Sequence, residues 1–199
     1  KIVEVKENKR QYLDLLLLAD EQEDMVDRYL DKGKMYVLDD NGVKCECVIT
    51  DEGNNILEIK NIATVPEYQG KGYARALIEF IIDNYREQYS ILQVGTGDSP
   101  LSIPFYEKCG FVRSHIIPNF FTDNYDHPIY ESGIQLVDMV YCKDLYNPTS
   151  GLSNRSNSFR NEGTHFKAPS GDGMRSAAFC ALSVEEGSGF SRYLLYGII

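Results

Sequence analysis

Gln69-Gly70-Lys71-Gly72-Tyr73-Ala74 separates an apolar run from an amphipathic helix, and the reading of these six residues decides the fold. Upstream, residues 56 to 65 (ILEIKNIATV) are rich in β-branched and aliphatic side chains, and Pro66 closes the run, as in a buried strand. Downstream, Ala74, Leu77, Ile78, Ile81 and Ile82 recur at the spacing of one helix face. The two glycines between let the backbone approach a ligand closely and turn its N–H groups toward it. At the positive end of a helix dipole, such groups form a phosphate site. The six residues alone allow two readings, a tight glycine turn or a phosphate cradle between strand and helix.

The spacing excludes two common phosphate loops. There is no G-x-x-x-x-G-K-[ST] and no G-x-G-x-x-G. A second motif follows downstream, Phe105-Tyr106-Glu107-Lys108-Cys109-Gly110-Phe111, after a helix start at Ser99-Pro100 and before another apolar strand. Together the two segments resemble the GNAT superfamily of acetyl-CoA-dependent N-acetyltransferases, in its small bacterial form. The family pattern Q/R-x-x-G-x-G/A matches Gln69 to Ala74, and its tyrosine shortly before Gly-Phe matches Tyr106 ahead of Gly110-Phe111. The resemblance spans roughly residues 1 to 146, and it is the order and separation of the motifs that make it specific.

Element by element, the chain agrees with that resemblance. Residues 2 to 5 read as a strand, followed by helical stretches at about 8 to 18 and 21 to 31, with Gly33 as a stop. Residues 35 to 38 and 43 to 50 form a hairpin around Asp40-Asn41-Gly42. A turn at Asp51-Glu52-Gly53 leads into the strand before the glycine loop. After the long helix come a strand at 90 to 94, a helix at about 99 to 109, and strands near 111 to 116 and 135 to 141. The expected fold is α/β, a mixed and mostly antiparallel sheet flanked by helices. The connection from about 117 to 133 is long and carries Phe120, Phe121, Tyr125 and Tyr130, too aromatic for a disordered linker. It reads as a folded loop lining an acceptor pocket. From residue 147 the chain becomes a low-complexity extension rich in Ser, Gly and Asn, expected to be disordered or loosely docked. The domain division is therefore 1–146 and 147–199.

Composition bounds the partners. The chain has 199 residues and a net charge of −10, with the acidic excess in the first 146 residues. That balance argues against general affinity for nucleic acid or anionic lipid. No apolar run approaches the roughly 20 residues needed to cross a bilayer, and no leader is recognisable, so the cytoplasm is the expected compartment. Five cysteines lack any C-x-x-C pair and the three histidines are scattered, so neither a disulfide framework nor a metal site is expected. Dimerisation is compatible with the fold, but no stretch identifies an interface.

The resemblance implies the chemistry. Backbone N–H groups across Gln69, Gly70, Lys71, Gly72, Tyr73, Ala74 and Arg75 would hold the pyrophosphate of acetyl-CoA, the co-substrate. Ala63, Thr64 and Val65 would offer the strand edge that pairs with pantetheine, and a splay between this strand and residues 90 to 94 would open the groove. Ser99 would contact CoA more weakly. Tyr106 would be the general acid, since a phenol can protonate a departing thiolate; packing as an ordinary core aromatic is its other reading. Glu58 would act as base through water, or stand as a solvent-facing strand residue. Asp98, His115 and His127 are further candidates without a motif. The activity implied is N-acetyl transfer to a primary amine of a small molecule or peptide, by direct attack in a ternary complex. A non-catalytic acyl-CoA-binding or sensing module is the alternative.

Overall fold

The computed structural model describes residues 1–145, so the low-complexity extension expected from residue 147 lies outside the described residues. Strand β1 (Ile2–Val5) is followed by a 3-10 turn at Lys9–Tyr12, then helices α1 (Leu13–Leu16) and α2 (Glu23–Asp27). Strands β2 (Lys34–Asp39), β3 (Val43–Gly53) and β4 (Ile56–Thr64) run to the glycine loop and helix α3 (Tyr73–Tyr85). Then come β5 (Ile91–Gly97), α4 (Ser102–Lys108) and β6 (Val112–Ile117). Helix α5 (Phe120–Asn124) and the short hairpin β7 (Tyr130–Glu131) and β8 (Ile134–Gln135) precede β9 (Met139–Leu145). Seven strands form one sheet in the order β1-β2-β3-β4-β5-β9-β6. The expected mixed, mostly antiparallel α/β fold is present.

The strand period divides the core. Along β3, Cys45, Cys47 and Ile49 enter the cluster under α3 and α4, while Val48 packs with Leu16, Val26 and Leu30 beneath α1 and α2. The apolar stripe of α3 faces the first cluster. Leu77, Ile78 and Ile81 lose all accessible surface there, each contributing about 1.5 to 3 kcal/mol.

Three local features differ from the sequence expectation. The first two helical stretches are shorter than read, because their backbone bonds switch to the i→i−3 pattern, as from Arg28 N–H to the Met25 carbonyl. Gly33 does follow them, but for want of space: an added Cβ would lie 2.6 Å from Val48 Cγ1 and 2.9 Å from the Tyr29 carbonyl. The hairpin expected at Asp51-Glu52-Gly53 turns instead at Asn54-Asn55, both at positive φ (50° and 61°), a conformation that asparagine tolerates.

Two irregularities of β4 shape the site. Val48 faces Asn61 and Ile49 faces Ile59, so Lys60 is the extra residue of a β-bulge. The bulge brings Glu58 and Asn61 onto one face, where an unbroken strand would set them on opposite faces. Strands β4 and β5 are parallel neighbours, paired only over Ile56–Ile59 and Ile91–Val94. Beyond that, β4 stays with β3 as far as Thr64, and β5 stays with β9 as far as Gly97. The two strands part, and the sheet opens where they do.

Candidate functional site

The glycine loop is set by backbone angles rather than crowding. Gly70 (φ 71°) and Gly72 (φ 86°) both lie in the left-handed region, and a Cβ on either would meet nothing within 4 Å. The outer face of the turn is therefore open to a ligand. Gly72 caps α3, whose first intrahelical bond runs from Ala76 N–H to the Gly72 carbonyl, so the helix dipole points its positive end at the loop. Gln69 Nε2 donates to the Thr64 carbonyl (3.2 Å) and ties the loop to the end of β4. Lys71 lies over the Tyr68 ring, and Lys44 lies 4.0 Å from the same ring centroid. Lys44 thus joins Lys71 beside the loop, a cation that the sequence did not single out. Tyr73 and Ala74 start the helix; the Tyr73 hydroxyl donates to Asp40 Oδ2 (2.8 Å). Arg75 is exposed and pairs with Glu79 one turn on (2.9 Å). Ala63 and Thr64 end β4 and are buried, with Val65 just beyond.

Where β4 and β5 part lies a cavity of about 280 Å³. The sheet contributes Glu58, Asn61, Gly95 and Tyr141; α4 contributes Tyr106. The 117–133 connection, expected as a folded loop, holds α5 and β7, the first strand of the β7–β8 hairpin. From it Phe121, Tyr125 and Glu131 line the same cavity.

Tyr106 is almost fully buried and packs edge-on against Phe105 and Phe111. Burial raises its phenol far above the ordinary value, with smaller upward pushes from Cys47, Cys109 and Glu131. It is thus a core aromatic and a cavity wall at once. Glu58 is also buried, and both of its oxygens are engaged. Lys60 Nζ (2.6 Å) and the Tyr141 hydroxyl (3.3 Å) donate to Oε1, and Gln93 Nε2 (2.5 Å) donates to Oε2. Ser99 Oγ accepts the N–H groups of Ser102 (3.1 Å) and Leu101 (3.3 Å), so it holds the start of α4. That occupies its lone pairs and leaves its hydroxyl hydrogen as donor.

The remaining sequence candidates stand apart. Asp98, His115 and His127 do not line the cavity. Asp98 faces Arg113, His115 stacks on Tyr141 from outside, and His127 is held between Asp126 and Glu21, which raise its pKa. Burial pushes the Cys109 thiol up to about 11, away from nucleophilic character. Among the described residues no group of three or more His, Cys, Asp or Glu could hold a metal ion, and no helix is long and apolar enough to cross a membrane.

Other polar groups enter the cavity that the sequence did not nominate. Asp20, after α1, accepts from the Tyr125 hydroxyl at Oδ1 (2.9 Å) and the Tyr29 hydroxyl at Oδ2 (3.2 Å). Burial raises its carboxyl to about 6, while the two hydroxyls pull it down. Asn61 Nδ2 donates to the Tyr29 hydroxyl (2.7 Å) and the Leu16 carbonyl (3.0 Å). Glu131 is 2% exposed; its Oε1 accepts from Ser102 Oγ (2.7 Å) and its Oε2 has no partner among the described residues. No motif marks Asp20 or Glu131. They meet the site only because the α1–α2 connection and the β7–β8 hairpin converge over the opening.

Known proteins share this arrangement. Residues 31–113 match the acetyltransferase (GNAT) domain family. The chain is 35% identical over 138 residues to the uncharacterized N-acetyltransferase YvbK of Bacillus subtilis, covering 68% of this chain and 89% of that one. A second relative, spermidine N(1)-acetyltransferase of Vibrio cholerae, is 39% identical over 67 residues, 30% of this chain and 37% of that one. Among solved structures, a GNAT family acetyltransferase from Elizabethkingia anophelis with acetyl-CoA bound aligns with TM-score 0.69 and 33% identity, covering 73% of this chain and 97% of that one. A Bacillus subtilis acetyltransferase in complex with CoA aligns with TM-score 0.66 and 34% identity, covering 72% and 96%.

Proposed function

Since the chain belongs to the GNAT family of acetyltransferases, we propose that it transfers the acetyl group of acetyl-CoA to a primary amine of a small molecule or peptide by direct attack in a ternary complex. The observation that carries this reading is the cavity at the parting of β4 and β5. It touches the open strand edges on one side and Tyr106 on the other, and the 117–133 connection roofs it. A donor entering from the glycine loop and an acceptor entering under α5 would meet there.

Each residue has a physical task. The loop from Gln69 to Arg75 binds the pyrophosphate through backbone N–H groups, with Lys71 supplying positive charge. Ala63, Thr64 and Val65 pair with the pantetheine arm, and a strand N–H polarises the thioester carbonyl. The Ser99 hydroxyl donates to CoA. Tyr106 gives its proton to the departing thiolate. Burial holds the phenol in its protonated form and also makes it a weaker acid, so the transfer is drawn by the thiolate's charge in the cavity. Glu58 accepts a proton through water at the cavity wall. The Vibrio relative acts on spermidine by its name, so polyamines stand among the acceptors to test.

A thiol-release screen with acetyl-CoA over polyamines, amino acids, aminoglycosides and N-terminal peptides tests the reading. An acceptor with a high specificity constant supports it. CoA binding without thiol release for any amine would overturn it in favour of an acyl-CoA-sensing module.

A further inference from the structure

Glu131 is the one carboxylate on the cavity wall with a buried oxygen left without a partner among the described residues. The others are engaged: both oxygens of Glu58 and of Asp20 accept hydrogen bonds, and Glu21 faces His127. A buried carboxylate oxygen without a donor has given up its hydrogen bonds to water for nothing in return, so a fold that keeps one is expected to gain something from it. Its location says what. Ser102 and Tyr106 are four residues apart on α4 and share one face, about one helical turn apart. The Ser102 hydroxyl anchors Glu131 Oε1 to that face. Glu131 and Tyr106 line the same cavity, and Glu131 lies close enough to the phenol to raise its proton affinity. Burial raises the carboxyl above its ordinary value, which suits a group that must accept a proton near neutrality.

We propose that Glu131 receives the acceptor's ammonium group and takes its first proton. This rests on the acetyltransferase reading above and names the chemistry of its acceptor end: a cationic primary alkylamine. The step balances as follows. The ammonium R–NH3⁺ gives one proton to the carboxylate, leaving R–NH2 and a neutral carboxylic acid. The amine nitrogen bonds to the thioester carbon and the C–S bond breaks. The second proton leaves the nitrogen through water at Glu58, while Tyr106 gives its own proton to the thiolate and recovers one from that water, forming the amide and CoA–SH. Glu131 returns its proton to solvent. Tyr106 thus handles the leaving group and Glu131 the incoming one, from neighbouring points on one helix face.

The test is Glu131→Gln in the full chain. Glutamine keeps an oxygen to accept from Ser102, so the hairpin stays anchored. Two acceptors are compared: the primary alkylamine that turns over fastest in the thiol-release screen, and its aminooxy analogue, which is weakly basic and already neutral at pH 7. We expect kcat/KM for the alkylamine to fall about a hundredfold or more, the scale of a lost general base. The aminooxy analogue should lose less than about a tenth of that factor, since it has no ammonium proton to give up. Calorimetric titration of the alkylamine into the enzyme–CoA complex should weaken in parallel, and the thermal shift produced by acetyl-CoA should not change. Equal losses for both acceptors would mean a structural role and overturn the proposal, as would an unchanged alkylamine kcat/KM. If instead the wild-type chain acetylates no amine at all, it is the acetyltransferase reading that fails.

Discussion

Replacing Glu46 with glutamine should remove one pH-dependent part of the protein's stability. Glu46 lies in the middle of β3 with no accessible surface, opposite Val37 on β2 and Ala63 on β4. Neither oxygen has a full hydrogen bond among the described residues. Burial pushes its carboxyl from 4.5 up to about 8, against a weaker downward pull from the Ala63 backbone. The folded value is raised, so the stability tied to this group is complete below about pH 4.5 and is lost as pH climbs toward 8. At about 1.4 kcal/mol per pH unit, that interval corresponds to about 4 to 5 kcal/mol. Glutamine has nearly the same shape and stays neutral, so it should match the wild type within about 1 kcal/mol near pH 4.5. By pH 8 the variant should be more stable by about 4 kcal/mol, or about 10 °C in Tm for a chain of this size. Urea unfolding of both proteins at pH 5, 6.5 and 8, followed by far-UV circular dichroism, measures the difference directly. A gap that stays constant across the three pH values would refute the reasoning, because a neutral defect has no proton linkage.

Other outcomes follow from the same geometry. Tyr106→Phe keeps the ring contacts with Phe105 and Phe111, so the fold and the acetyl-CoA thermal shift should persist while kcat falls by about tenfold or more. Steady-state thiol release reads this, and an unchanged kcat would remove the acid role. Gly72→Glu forces a side chain into φ 86° and sets a negative charge at the helix N-terminus; it should abolish the acetyl-CoA thermal shift, and a preserved shift would separate the loop from CoA. Tyr125→Phe strips Asp20 Oδ1 of its donor and should destabilise the protein by about 1 to 3 kcal/mol. It should also move the Asp20 carboxyl further up, observable by NMR titration, because the Tyr125 bond is the largest influence holding it down.

The strand, glycine turn and helix of the proposed donor site were legible in the sequence because they are local. Gly70 and Gly72 lie within three positions of each other, adjoin the strand they follow, and open the helix they precede. Their positive φ is a property of the residue type, so the turn reads directly from the letters. The stripe of α3 reads the same way, since Leu77, Ile78 and Ile81 obey one helical period. Tyr106 was found by its distance to Gly110-Phe111, again a short span. The first two helices read too long for a related reason: hydrophobic period measures which face is buried, not whether each turn closes i→i−4.

Of the proposed acceptor half only the aromatic 117–133 segment was legible; the contacts that assemble it were not, because their partners are far apart in the chain. Tyr125 reaches Asp20 across a separation of 105 residues. Glu131 comes to Ser102 from a two-residue strand that carries no periodic signal. The bulge at Lys60 turns Glu58 and Asn61 to one face, and only pairing with β3 reveals it. By itself, then, the sequence determined the strand, turn and helix of the glycine loop, and nominated the phenol one helix later. Backbone angle and side-chain period are encoded by neighbours. The tertiary structure alone decided how far β4 and β5 part, and which carboxylates end up buried beside the phenol. Burial and an unpartnered oxygen are relations between distant segments, and no stretch of sequence contains them.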